Sequence, residues 1–154
     1  MTRPEGPNLA EEKVVPLPCL CASLRRAARV VTQFYDDMLR PSGLRATQFT
    51  LLQTLNCVPG ISQKRLAQLL EIDSTTLTRT LAFLRRRGWL LSEAGTDRRE
   101  LRLSLTAAGE HEYERVVPYW QSAQKRLRQE LGEGNWNQVM NAAMHVAEAT
   151  PKAD

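Results

Sequence analysis

The chain has 154 residues, 42% of them hydrophobic and 25% charged, with 21 basic and 17 acidic side chains for a net charge of +4. That balance describes one ordinary globular domain or a small domain with helical extensions, and it excludes a disordered tail. No apolar run nears the roughly 18 residues of a membrane helix and the N-terminus lacks signal-peptide shape, so a cytoplasmic protein without membrane contact is expected. The three cysteines (Cys19, Cys21 and Cys57) are too few and odd in number for a disulfide framework.

In chain order, residues 1–16 hold Pro, Gly and Glu without periodicity and predict a mobile arm. From about Pro18 to Leu39, Leu20, Leu24, Ala27, Ala28, Val31, Phe34, Tyr35 and Met38 return at helical spacing. Pro41, Ser42 and Gly43 stop that helix. A second helix is predicted from about Arg45 to Asn56, with Phe49, Leu52 and Leu55 inward and Thr47 as the nearest good capping side chain. Cys57, beside Pro59-Gly60, reads as a core residue. Ser62 caps a third helix that buries Leu66, Leu69 and Leu70, and Asp73 caps a fourth from Ser74 to about Arg87, closed by Gly88. Trp89–Ser92 and Leu101–Leu105 read as paired strands around a Gly95 turn. Thr106 caps a long helix whose inward stripe is Tyr113, Val117, Trp120, Gln124, Leu127 and Leu131, with a bend expected at Pro118. A last helix carries Trp136, Val139, Met140, Ala143 and Ala147 on one side.

The charge is not spread evenly. Residues 61–106 hold nine Lys and Arg against five acids, which leaves twelve of each elsewhere, so this segment carries the whole surplus. Local concentration of positive charge points to a polyanionic partner. On the fourth helix, 100° per residue places Thr75, Arg79, Ala82 and Arg86 opposite the core stripe of Leu77, Leu81 and Leu84. No acid occurs from Ser74 to Trp89. A slim, acid-free face with Arg donors suits entry into a major groove. The tip at Asp97, Arg98 and Arg99 suits a minor groove, with Asp97 fixing one Arg and Arg99 presented. The candidate DNA contacts are therefore Ser62, Gln63, Lys64, Ser74, Thr75, Thr76, Thr78, Arg79, Arg86, Asp97, Arg98 and Arg99.

The order of elements resembles the MarR family of winged helix-turn-helix regulators. Asp97-Arg98-Arg99, a strand, then Leu105-Thr106-Ala-Ala-Gly109 is similar to the family's wing signature, and Leu66-Ala67, Thr78-Arg79 and Leu84 to Trp89 are similar to its helix-turn-helix. The resemblance implies a mainly α fold with a small β wing. Residues 45–106 would form the DNA-binding domain, and the helices of residues 17–44 and 107–154 would form a dimerisation region. It further implies a homodimer on a pseudo-palindromic double-stranded operator, a repressor's role, and release by a small-molecule effector or an oxidant. Arg45 departs from the family's frequent capping Thr.

For the signal, Cys19 and Cys21 open the first helix, where unpaired amides favour negative charge, with Arg25 one turn on. Cys21 and Tyr35, with Arg29 and Thr32 between them, have the spacing of the family's organic-peroxide-sensing branch, although Ala46 replaces that branch's second tyrosine. The other reading is a small aromatic or anionic ligand near Arg25, Arg29, Tyr35, His111 or Trp120. Cys19 and Cys21 with His111 or His145 match no compact zinc site, so no metal or other cofactor is expected. Two rival classes are weaker. A thiol enzyme built on Cys21 lacks a nearby His base. A winged helix for protein contact alone leaves the acid-free face unexplained.

Overall fold

A computed structural model describes residues 19–95 and 100–150. The elements are α1 (Leu20–Leu39), a 3₁₀ turn (Arg40–Ser42), α2 (Ala46–Cys57), β1 (Ile61–Ser62), α3 (Gln63–Leu70), α4 (Ser74–Arg86), β2 (Leu90–Ala94), β3 (Leu101–Leu105), α5 (Ala107–Leu131) and α6 (Glu133–Ala149). The fold is mainly α with a three-stranded antiparallel sheet in the order β1-β3-β2. Leu90 pairs with Leu105 and Ala94 with Leu101, while Ile61 of the two-residue β1 pairs with Leu103. The amide of Gly95 donates to Glu100 O at 2.7 Å where the β2–β3 hairpin narrows. The expected mobile arm (residues 1–16) and the wing tip at Asp97, Arg98 and Arg99 lie outside the described residues.

The core sits in the middle of the chain. Phe49, Leu51, Leu52 and Leu55 of α2 meet Leu66, Leu77, Leu81 and Leu84 of α3 and α4, Leu103 of β3 and Val116 of α5, all nearly or wholly buried. Fully burying a side chain of this size is worth about 1.5–3 kcal/mol, so this cluster accounts for the module's cohesion. Tyr113 stacks on Phe49 at 5.8 Å and Trp120 tilts against the same ring at 5.9 Å, tying α5 to α2.

Local rules explain most element ends. Ser62 Oγ accepts from Arg65 N, Asp73 Oδ1 from Thr76 N, and Thr106 Oγ1 from Gly109 N. Gly88, at φ 71°, lets the Gly88 and Trp89 amides donate to Arg85 O and Leu84 O, closing α4 with a Schellman motif. Thr106 also donates its hydroxyl to Gly88 O at 2.6 Å. A Cβ on Gly109 would sit 2.4 Å from Trp89 O, so the Thr-x-x-Gly spacing caps α5 and lets it press on the strand entry.

Several expectations are corrected. Thr47 does not cap α2; the Ala46 amide donates to Asp36 Oδ1 of α1 at 2.7 Å, and the Arg45 amide donates to Gln48 Oε1 at 2.9 Å. Leu69 is 51% exposed rather than buried, because α3 turns that side outward. Cys57 is exposed rather than in the core. On α5 the fully buried side chains are Val116 and Ala123, whereas the predicted stripe is only half-buried. Of that stripe, Tyr113, Val117 and Trp120 nonetheless pack against the core. The helix continues through Pro118 to Leu131.

Candidate nucleic-acid interface

α3 and α4 form the helix-turn-helix, and their caps decide which polar side chains face outward. Asp73 accepts from both the Thr76 amide (2.9 Å) and the Thr76 hydroxyl (2.6 Å), and these bonds hold its carboxyl below the ordinary range. Thr76 is therefore exposed but already engaged. Ser62 is buried to 7% exposure with its hydroxyl serving as the α3 cap.

The others lie outward. Ser74, Thr75, Thr78 and Arg79 are exposed and line, with half-buried Ala82, an open concavity of about 410 Å³ along α4. Gln63 Nε2 donates to Thr78 Oγ1 at 3.5 Å, linking the two helices. A larger concavity, about 790 Å³, runs between α3, α4 and the wing base past Gln63, Lys64, Gln68, Ser74, Leu77 and Glu100. Lys64 and Arg86 are exposed.

Sequence reasoning missed two long-range contacts, one between the two flanking segments and one from α1 to the module. Arg115 of α5 donates to Ser42 O at 2.7 Å and is held by both carboxylate oxygens of Glu112. Asp36 supplies the α2 cap already described. The Glu112/Arg115 spacing of three is a helix-pair signal, but the Ser42 partner lies 73 positions away and no local pattern announces it.

Within one chain the candidate sensing residues do not come together. Tyr35 and Trp120 share a cavity of about 170 Å³ with Val31, Ala46, Phe49 and Thr50, between α1, α2 and α5. Burial pushes the Tyr35 hydroxyl above its ordinary value. Cys19, Cys21, Arg25, Arg29 and His111 are exposed, and none lines that cavity. Cys21 and Tyr35 lie fourteen residues apart on α1, about 21 Å along the axis, so they do not meet within one chain. Among the described residues no cluster of three His, Cys, Asp or Glu is placed to hold a metal, and no helix is long and apolar enough to cross a membrane.

A helix-turn-helix with a basic, acid-free outer face and an antiparallel wing defines a winged-helix nucleic-acid-binding module. The MarR family model matches residues 44–101. An uncharacterized HTH-type transcriptional regulator, YwoH of Bacillus subtilis (strain 168), is 30% identical over 97 residues, 63% of this chain and 71% of that protein. The M. tuberculosis transcriptional regulator MosR, solved in complex with DNA, is 37% identical at a TM-score of 0.76, over 85% of this chain and 95% of its own. The transcriptional repressor CouR, solved on a 23-mer DNA duplex, is 27% identical at a TM-score of 0.76, over 84% and 92%. The chain belongs to the MarR family of DNA-binding transcriptional regulators. The relatives it matches are regulators rather than enzymes.

Proposed function

We propose that the chain is a homodimeric repressor that holds a pseudo-palindromic duplex through residues 45–106 and pairs with a second copy through 17–44 and 107–154. The outer face of α4 carries the DNA half of this reading, because Arg79 and Arg86 have no hydrogen-bond or ion-pair partner among the described residues. Ser74, Thr75, Thr78, Gln63 and Lys64 would flank them in the groove, and Arg98 and Arg99, steadied by Asp97, would extend to the minor groove. The dimer half rests on α6, where none of the seventeen residues is buried and Val139, Met140 and Met144 are 55%, 46% and 59% exposed. Leu20, Leu24 and Val30 add an apolar side on α1. Apolar surface of this extent marks an interaction site.

Release would act where the terminal helices join the module, and the Tyr35/Trp120 cavity is the place for a small effector. At about 170 Å³ it is below the usual ~300–1,000 Å³ of a ligand site, so binding would widen it and pull on α2. A second reading, an oxidant acting at Cys21, is favoured by the exposure of that thiol. It requires the tyrosine to come from another copy. Sedimentation of the protein with a duplex selected from random DNA tests the function: two chains per duplex are expected, and one chain per duplex contradicts it. Repeating the run after hydroperoxide treatment decides the oxidant reading. Release of wild type but not of Cys21→Ser supports it, and equal behaviour of the two rejects it.

A further inference from the structure

The four arginines of α4 and its C-cap are not equivalent. Arg85 donates to Ser92 Oγ at 3.4 Å. Arg87 lies over the Phe83 ring at 5.4 Å and the Trp89 ring at 5.5 Å, a paired cation–π contact. Only Arg79 and Arg86 are left without such partners among the described residues. The hydroxyls are sorted in the same way. Thr76 is held by Asp73, Thr80 donates to Thr76 O at 3.0 Å, and Thr78 accepts from Gln63. What the N-terminal half of α4 offers outward is therefore one guanidinium without a partner among the described residues, beside Ser74, Thr75, Thr78 and Ala82, all lining a single concavity, and the last three each carry a methyl group.

The missing residue types matter as much. From Ser74 to Arg86 there is no Asn, Gln, Asp or Glu. Asn and Gln are the side chains that pair bidentately with adenine, and Asp and Glu accept from cytosine N4. Arg pairs with guanine O6 and N7, and Ala or Thr methyl groups pack on the thymine C5 methyl. Arg79 and Ala82 are three residues apart, about 4.5 Å of helix rise against about 3.4 Å per base along a strand. The two elements thus fall on the same or neighbouring base pairs. Arg86 lies about 10 Å beyond Arg79, at the far end of the helix, where a phosphate is the partner in reach.

Resting on the DNA-binding reading above, the geometry points to a specificity rule for this chain. Arg79 reads a guanine, and the Thr75, Thr78 and Ala82 shelf reads the C5 methyl of an adjacent thymine. Each operator half-site then contains a neighbouring guanine and thymine.

The probe is the duplex selected from random DNA, with each half-site guanine replaced in turn by 7-deazaguanine and each thymine by deoxyuridine. In wild type, one guanine replacement per half-site weakens binding at least about fivefold, the low end of a bidentate base contact. Arg79→Ala binds more weakly and no longer distinguishes that guanine. Deoxyuridine at the neighbouring position weakens wild type several-fold but weakens the double variant Thr75→Ser, Thr78→Ser less, since that variant keeps the hydroxyls and retains only the Ala82 methyl group. Arg86→Ala weakens every duplex alike. A half-site without guanine, an Arg79→Ala protein still sensitive to 7-deazaguanine, or indifference to deoxyuridine overturns the rule while leaving DNA binding intact. Failure to bind any duplex at low salt overturns the proposed function and takes the rule with it.

Discussion

The middle of the chain and its two ends bury apolar surface in opposite ways. Between Leu39 and Val116, α2 to β3 close around a shared core in which Leu52, Leu55, Leu66, Leu77, Leu84 and Leu103 are wholly inaccessible. At the ends, α1 buries only Leu39 and α6 buries nothing, although both helices are amphipathic or apolar enough to need a cover. The same chain therefore contains a unit that is satisfied alone and two helices that are not. That contrast is the physical basis for assigning reading to one region and assembly to the other.

The contrast is broken most strongly at Met140. A carboxylate placed there by Met140→Asp would be harmless on a solvated surface and uncompensated in an interface, where such a charge costs roughly 3–5 kcal/mol. Sedimentation is expected to show the dimer dissociation constant raised about 100-fold or more, and an unchanged constant would remove α6 from the interface. Next comes Gly109→Ala in the self-contained region. Its new Cβ would overlap Trp89 O, and the overpacking is expected to lower stability by about 3 kcal/mol in a denaturant titration. A wild-type midpoint would mean that α5 can lift off the strand entry at no cost. The smallest effect belongs to Asp73. Its carboxyl is held below the ordinary 3.8 by its bonds to Thr76, so its contribution is present above that value and is lost as pH falls through the lowered one. Melting temperature followed against pH is expected to fall more steeply on acidification for wild type than for Asp73→Asn. Parallel curves would show that the cap carries no charge-dependent stability.

What was legible in the sequence follows from the range of the interactions involved. The caps at Ser62, Asp73 and Thr106 and the stop at Gly88 act within three or four residues, so spacing alone announces them. The stripe of Leu77, Leu81 and Leu84 is likewise a matter of periodicity. The Asp36 cap on α2 and the Arg115 bond to Ser42 O cross 10 and 73 positions, and nothing local encodes them. β1, two residues long, is too short to show alternation and exists because β3 offers a free edge. Leu69 and Cys57 were misplaced for the same reason: an apolar or small residue next to a buried stripe reads as buried until the neighbouring helix is positioned. At the interface, the acid-free face of α4 was plain from composition. Which of its polar groups are already engaged, as in Ser62, Thr76, Arg85 and Arg87, emerged only from the packed structure.

The most direct test of the account is a salt titration of duplex binding by the full chain. Each phosphate neutralised by Lys or Arg releases counterions, and the logarithm of affinity falls against the logarithm of salt with a slope of about −0.9 per contact. With Lys64 and Arg86 each contributed by two copies, these four contacts alone give about −3.6, and the account predicts a slope at least that steep. A flat response, or no affinity for duplex at low salt, would contradict it.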